Sequence, residues 1–315
     1  MAGAKVAYSG NGAYCYANSL HMALRAHGAD PAWLPAPGFL EVLTTMPFGN
    51  MYMRLHHGPM VFFSPPSLDP DQGIDVALRA LGWKCETTSR GTGPEALARL
   101  RAATKEAPVL AGPVDMGYFT HNPRHLHIAG ADHFVLVLGI EGDRVRMHDP
   151  EGFPFASIPS DDFLRAWQAD RIDYKHEPFT MRSGFAKFAD RSRKEMIERT
   201  LPLAKKNLED DPGGPRVWGG LRALHFLAED LKGKVSQYLS GHLTWFAFPL
   251  AARRCADAAA VMSEMGKGEA ASVLEEKARI FGEAQFLGVQ ARWASAAGCL
   301  SRLADLEIRL MSELP

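Results

Sequence analysis

The spacing of hydrophobic positions changes partway along the chain. In the first half, short apolar runs typical of strands alternate with stretches of helical period, whereas from about residue 185 the period is almost entirely helical. These later stretches are long, rich in alanine and leucine, and interrupted by glycine or proline. The pattern therefore predicts an α+β domain over residues 1–184, followed by an all-α helical domain over residues 185–315.

Shorter patterns predict the individual elements of the first half. Leu20, Ala23 and Leu24 fall near one face of a helix over residues 14–27, and Gly28 suits the left-handed turn that ends it. Residues 30–72 are rich in proline, glycine, methionine and aromatic residues, which predicts irregular structure with short helical or strand pieces. The other predictions are helices at residues 73–82, 93–107 and 159–169, and strands at residues 83–89, 108–114 and 174–182.

Composition and charge exclude several classes of protein. The chain has 315 residues, enough for about two domains, and a formal net charge of −1, which gives no basis for binding nucleic acid or a membrane surface. No long uninterrupted apolar run and no secretory signal are present, so no membrane span or export is expected. The four cysteines are scattered without a CxxC pair, which fits reduced thiols in the cytoplasm. We predict a soluble cytoplasmic protein without cofactor or metal.

The clearest local pattern is HFVLVLGIEGDRVRMHDPEG at residues 133–152. Two strand-like runs are joined by Glu-Gly-Asp at residues 141–143, which predicts a β-hairpin. Folding the chain at this turn brings residues 133 and 149 to the same open end of the hairpin.

One cysteine lies where a glycine-broken loop becomes a helix. Cys15 follows Gly10 and Gly12 and lies within one turn of the predicted helix start. The positive end of a helix dipole favours the thiolate, so we expect a lowered pKa at Cys15 and a nucleophilic role. The alternative is that Cys15 is a small buried hydrophobic residue, the commonest role of a free cysteine.

A cysteine nucleophile needs an imidazole to take its proton and a third group to orient that imidazole. His133 begins the first strand of the hairpin and Asp149 ends the second, so the two side chains can meet beside the thiol. Alternatively, they are a strand-end histidine and a turn aspartate. We predict Cys15, His133 and Asp149 as the catalytic residues.

The chain also resembles a known family over about its first 180 residues. The shared features are the glycine-bearing approach to Cys15, the helix ending at Gly28, and the segments LRALGWKCE, PVLAGPVDMGYF and DHFVLVLGIEGDRVRMHDPEG, followed by a helical C-terminal half. Together they resemble the acyltransferase family typified by the butirosin-biosynthesis protein BtrH and, more broadly, the papain-like bacteriocin-leader peptidases. The resemblance implies a papain-like fold and cysteine-dependent acyl transfer from a carrier-protein thioester to an amine. It also assigns Cys15 as the nucleophile, His133 as the base and Asp149 as the orienting group.

The sequence departs from this pattern before the cysteine. Papain-like enzymes commonly place a glutamine there as the oxyanion donor, whereas residue 9 is serine and residue 11 is asparagine. We expect the Asn11 amide and the Cys15 backbone N–H to stabilise the oxyanion. The alternative for Asn11 is a turn-forming role in Gly-Asn-Gly.

A histidine-rich segment, GYFTHNPRHLHIAGADH, precedes the hairpin at residues 117–133. Its histidines and Asp132 could form a zinc or iron site. Asn122-Pro123, however, disfavours the helix that would align His121 with His125. We expect instead a loop over the active site, with Tyr118, His121 and Asp115 binding substrate, although Asp115 could equally hold the loop.

Three hypotheses for function follow. The first is an acyltransferase of natural-product biosynthesis that forms an amide or ester through a cysteine acyl-enzyme. Its partners would be an acyl donor, such as a carrier-protein thioester, and a small amine acceptor. The second is an amidohydrolase, peptidase or thioesterase with the same three residues, and the third is a small-molecule-binding protein without catalysis. Association into a homo-oligomer is left open.

Overall fold

A computed structural model describes residues 6–10, 14–56 and 58–315. The chain forms two compact units. The first comprises the residues up to Leu40 together with Leu81–Asp190, and the second comprises Glu41–Ala80 together with Arg191–Pro315. Both units are therefore built from two separate stretches of the chain.

The first unit contains a six-stranded antiparallel sheet. Its strands are β3 (Trp83–Thr88), β4 (Val109–Asp115), β5 (Asp132–Glu141), β6 (Arg144–Asp149), β7 (Phe153–Pro159) and β8 (Met181–Lys187). They lie in the order β3-β8-β4-β5-β6-β7. Its helices are α1 (Cys15–Ala26), α4 (Gly93–Glu106) and α5 (Ser160–Gln168). Helix α1 packs against β5, at the centre of the sheet, because the apolar face of the helix and the apolar residues of β5 bury one another.

The second unit combines helices with a three-stranded antiparallel sheet. That sheet has the order β2-β1-β9, from β1 (Met51–Leu55), β2 (Gly58–Phe62) and β9 (Val217–Gly219). The helices are α6 (Arg193–Glu198), α7 (Leu201–Glu209), α8 (Gly220–Lys232), α9 (Gln237–His242), α10 (Phe248–Glu264), α11 (Gly268–Val289) and α12 (Trp293–Glu313). Helices α2 (Pro37–Leu43) and α3 (Pro70–Leu81) contain two of the points at which the chain passes between the units. None of the helices in the described ranges is both long and apolar enough to cross a membrane.

Most elements predicted for the first unit are confirmed. The helix predicted over residues 14–27 is α1, and the predicted hairpin is the pair β5 and β6, joined through Gly142 in a left-handed conformation (φ 60°). The return strand, predicted over residues 174–182, lies later, at β8. Strand β7, which directly follows the hairpin, was not predicted, because Phe153–Pro159 lacks a clear alternation of polar and apolar residues.

For the rest of the chain, one expectation is confirmed and another is corrected. Residues 30–72 contain the short elements α2, β1 and β2 between irregular stretches, as predicted. The expectation of an all-α domain over residues 185–315 is wrong at β9, which pairs with β1 and so ties Glu41–Ala80 to the later helices. The compact units therefore differ from the predicted ranges of 1–184 and 185–315. A strand as short as β9 gains its partner from a distant part of the chain, which local periodicity does not show.

Candidate active site

The cysteine predicted as nucleophile begins helix α1. The residue before it, Tyr14, has left-handed backbone angles (φ 62°, ψ 45°), so the chain turns sharply into the helix. No side chain of the described residues caps this end, which leaves first-turn N–H groups directed along the helix axis. Asn18 stabilises the turn, because its amide donates to the Tyr14 carbonyl (3.0 Å) and its Oδ1 accepts from the Ser9 hydroxyl (3.0 Å).

The hairpin brings the predicted base and its orienting group together. His133 is the second residue of β5 and Asp149 is the last residue of β6, so both lie at the open end. The distance from His133 Nε2 to Asp149 Oδ1 is 2.7 Å. His133 is only 2% exposed and Asp149 is fully buried. Because an ionised carboxylate has only acceptors, the Nε2 atom of His133 carries the hydrogen of this bond.

The thiol of Cys15 completes the arrangement. Its side chain hydrogen-bonds with the His133 side chain, and the backbone of Phe134 makes a further hydrogen bond to the thiol. Since Nε2 of His133 faces Asp149, Nδ1 is the ring nitrogen that remains for the thiol. The structure thus brings Cys15, His133 and Asp149 into one continuous chain of hydrogen bonds.

The charges of these three groups depend on one another. Burial raises the pKa of Asp149, but His133 and hydrogen bonds from His121, His133 and the Glu151 backbone outweigh it and hold that pKa well below its usual range. Burial likewise opposes the charged form of His133, yet Asp149 and Cys15 raise its pKa well above 6.5. The carboxylate is therefore ionised at neutral pH and favours the imidazolium.

The pKa of Cys15 differs from the sequence-based expectation. Burial raises it above the usual value for a thiol, although interactions with His133 and Phe134 act in the opposite direction. Burial of the thiol therefore outweighs the interactions that favour the thiolate. Since Cys15 and His133 are in contact, they titrate as a pair, and loss of one proton gives either thiolate with imidazolium or thiol with imidazole.

The other predicted site residues lie in the segment between β4 and β5. Buried Asp115 accepts hydrogen bonds from the backbone N–H groups of Gly117 (2.8 Å) and Gly130 (2.9 Å) and from Arg171 Nε (2.5 Å). The Arg171 guanidinium also lies over the Tyr118 ring, 4.8 Å from its centroid. Asp115 therefore joins the two ends of this segment, and substrate contacts by Asp115 and Tyr118 stay predictions.

His121 lies beside the Asp149 carboxylate. Its Nε2 is 2.7 Å from Asp149 Oδ2, and its side chain is 10% exposed. The metal site weighed for this segment has no counterpart among the described residues, where no group of three or more suitable side chains could hold an ion. Asp132, one of its candidate ligands, accepts a hydrogen bond from the Tyr174 hydroxyl (2.6 Å).

The predicted oxyanion donor Asn11 lies outside the described residues. The remaining candidate is the backbone at the start of α1, including the N–H of Cys15. No side chain in the described ranges caps that end of the helix. Its first N–H groups can therefore donate to an oxyanion.

The structure also shows positioning contacts that were not predicted. The Tyr8 hydroxyl donates to the Asp149 carbonyl (2.9 Å) and accepts from the Gly152 N–H (3.0 Å). Fully buried His148 accepts from the Phe155 N–H at Nδ1 (3.1 Å), so its Nε2 donates to the Val6 carbonyl (3.1 Å). These contacts hold residues 6–10 against the end of the hairpin that carries Asp149. The local sequence gives one sign of these contacts: His148 is adjacent to Asp149 on β6, so its side chain points to the opposite face of the strand.

These observations define a class of protein: a mixed α+β chain with a helical C-terminal region, in which a partly exposed cysteine lies beside a buried histidine and aspartate. A family model for the YobF C-terminal domain matches residues 214–315, which include β9 and helices α8–α12. Protein YobF of Bacillus subtilis (strain 168) is 32% identical over 310 residues, covering 98% of this chain and 97% of that protein. The chain belongs to the YobF family.

Proposed function

We propose that this protein is a cysteine-dependent acyltransferase with a papain-like first unit. Cys15 is the nucleophile, His133 the general base and acid, and Asp149 the group that orients His133. The observation that carries the proposal is the continuous contact from the Cys15 thiol through His133 to buried Asp149.

The topology around the site supports the papain-like assignment. A cysteine begins the helix that packs on the central strand of an antiparallel sheet, and the histidine and aspartate come from two neighbouring strands of that sheet. This is the arrangement that the resemblance to the BtrH-like acyltransferases implies. It places nucleophile, base and orienting group on regular elements, which hold them more precisely than loops would.

The reaction proceeds in two balanced steps. The sulfur of Cys15 attacks the carbonyl carbon of a thioester, ester or amide, and first-turn N–H groups of α1 stabilise the oxyanion. Collapse of this intermediate breaks the bond to the leaving group, which takes a proton from His133 and leaves an acyl-enzyme. An amine then attacks the acyl carbon, gives its proton to His133 and displaces the Cys15 thiolate.

Local charge supports an amine as the acceptor. His133 and Asp149 are almost inaccessible to solvent, whereas Cys15, which would carry the acyl group, is partly exposed, so the acceptor reaches the acyl-enzyme from the Cys15 side. Asp132 acts electrostatically on Cys15, and Glu151 acts on His133. A site with several carboxylates attracts an ammonium group, which loses a proton to solvent before the neutral amine attacks. Hydrolysis by the same residues is the second outcome that the experiment below distinguishes.

The first test is the pH dependence of Cys15 alkylation by iodoacetamide, measured by peptide mass mapping. We expect His133→Ala to slow the reaction of Cys15 at pH 7 about tenfold or more, because the variant removes the interactions that lower the thiol pKa. Cys85, half-buried on β3, provides an internal comparison within the same chain and should react identically in both proteins.

Incubation with a small acyl thioester then tests the chemistry. We expect an acyl adduct on Cys15 that a primary amine releases as an amide faster than water releases it as an acid. Release only as the acid would favour the hydrolase. Equal Cys15 alkylation in wild type and His133→Ala, together with no adduct, would overturn the proposal in favour of a non-catalytic binding protein.

A further inference from the structure

The Asp149 carboxylate contacts a second imidazole besides His133. Its Oδ1 lies 2.7 Å from His133 Nε2 and its Oδ2 lies 2.7 Å from His121 Nε2. The backbone N–H of Glu151 also donates to Oδ1 (2.8 Å). Each carboxylate oxygen therefore has its own imidazole donor, and Asp149 has no exposed surface at which water could replace either one.

Aromatic packing fixes the ring of His121. Phe119 and Phe153 lie against it, with ring centroids 5.2 and 5.3 Å away, and Phe119 also meets His133 edge to face at 6.0 Å. The His121 side chain is nine-tenths buried. In the chain of hydrogen bonds, Asp149 and His133 separate His121 from the thiol, so His121 is placed to act through the carboxylate.

We infer that His121 is a positioning residue, which holds the Asp149 carboxylate in the plane that keeps Oδ1 on His133. The physical reason is that the terminal torsion of an aspartate is soft, so a carboxylate held through one oxygen can turn. Bonds to both oxygens remove that freedom. This inference rests on the proposed function, and it gives His121 a role other than the substrate contact expected from the sequence.

The proposed role of His121 depends on its Nε2–H donor and not only on the shape of its ring. Asp149 is ionised and accepts only, so Nε2 of His121 carries a hydrogen whether the ring is neutral or charged. A phenylalanine at residue 121 would keep an aromatic ring between Phe119 and Phe153 but would supply no donor. A glutamine would lose the ring but keep an amide N–H of similar reach.

The test compares His121→Phe with His121→Gln, and uses His127→Phe in the same segment as a control. His127 is exposed, and the hydrogen bonds to the Asp149 carboxylate come from other residues. The readouts are the pKa of His133, by NMR titration of its Cε1 proton, and the pH profile of Cys15 alkylation. We expect His121→Phe to lower the pKa of His133 by about one unit and to slow alkylation at neutral pH about tenfold.

We expect His121→Gln to restore both values most of the way and His127→Phe to match wild type. An unchanged or higher His133 pKa in His121→Phe would overturn the positioning role, as would a failure of the glutamine to restore it. Failure of the proposed function is seen separately, because Cys15 alkylation would then not respond to His133→Ala in the first place. If His121→Phe does not fold, His121→Leu replaces it as the variant without a donor, and a His133 pKa no lower than in His121→Gln would overturn the role.

Discussion

The properties of the candidate site depend on one fully buried carboxylate. Burial alone would raise the pKa of Asp149 and lower that of His133, so each would tend to be neutral. Their mutual contact reverses both tendencies, because each charged form stabilises the other. The charge of a single residue therefore decides whether the imidazole beside Cys15 holds its proton.

Replacement of Asp149 by asparagine tests this dependence. The amide would keep the shape of the side chain but remove its charge, so we expect the pKa of His133 to fall below 6.5, where burial alone places it. NMR titration of the histidine Cε1 protons would measure the change. Asp143→Asn, at the closed end of the same hairpin, is the control and should leave His133 unaffected. A His133 pKa equal to wild type in Asp149→Asn would contradict the assignment.

The same substitution changes how stability depends on pH. A raised histidine pKa contributes stability that is fully present below the unfolded-state value of about 6.5 and is lost as the pH rises through the folded-state value. In Asp149→Asn this contribution disappears, so the difference in unfolding free energy from wild type should be larger at pH 6 than at pH 9.

At the scale of elements, the segment over residues 6–10 supports the candidate site together with helix α1. It approaches the turn after β6 so closely that a Cβ atom at Gly10 would lie 2.6 Å from both Cα and O of Pro150. The same segment is held by Tyr8 and His148. Gly10 therefore allows a close approach of two parts of the chain.

Gly10→Ala should therefore disturb the site from a distance. We expect a loss of about 1–3 kcal/mol in unfolding free energy, because backbone atoms of Pro150 cannot move aside easily. Cys15 alkylation should also slow, since the segment contacts Asp149 through Tyr8 and Asn18 of α1 through Ser9. Urea denaturation and the alkylation assay measure both effects. Gly139→Ala is the matched control, because nothing lies within 4 Å of a Cβ at that strand position. Identical behaviour of the two variants would refute the interpretation.

Sequence patterns located the elements better than the contacts between them. Helix α1 and the hairpin β5–β6 follow from local periodicity and turn residues, and these elements are enough to suggest that Cys15, His133 and Asp149 meet. The contact of Tyr8 with Asp149 joins residues 141 positions apart, and no local pattern encodes it. The pKa of Cys15 is raised rather than lowered because the folded chain buries the thiol, and local sequence patterns do not show that burial.

At the scale of the whole molecule, buried ion pairs define the second unit. Arg254 Nε lies 2.8 Å from Glu41, and Lys277 Nζ lies 2.8 Å from Glu307, with every one of these side chains at least nine-tenths buried. Asn50 also donates to Glu307 (2.8 Å). Breaking such a pair is strongly destabilising, because removal of one partner leaves a buried charge unpaired. The Arg254–Glu41 pair and the Asn50–Glu307 hydrogen bond tie residues 41–80 to the helices that follow residue 190, in agreement with a unit that is discontinuous in sequence.

Three buried or half-buried histidines in the two units make the molecule sensitive to acid. Burial lowers the pKa of His148 and His242, and burial together with Arg25 lowers that of His21 to about 4. Below pH 6.5 the unfolded chain therefore binds protons that the folded chain does not, so the unfolding free energy must decrease as the pH falls. His133 does not offset this decrease, because its raised pKa gives a contribution that is already complete below pH 6.5.

We expect the unfolding free energy to fall by on the order of 1 kcal/mol per pH unit between pH 6 and pH 4.5, with Asp149 still ionised throughout that range. Urea denaturation at several pH values, followed by circular dichroism, measures the slope. His148→Gln should reduce the slope because it removes one of the groups that titrate on unfolding, although it also lowers the stability at pH 7 by breaking the contacts to Val6 and Phe155. His127→Gln, at an exposed position, should leave the slope unchanged. A free energy that stays constant or rises from pH 7 to pH 5 would show that these histidines are protonated in the folded protein, and that the burial described for them does not control their charge.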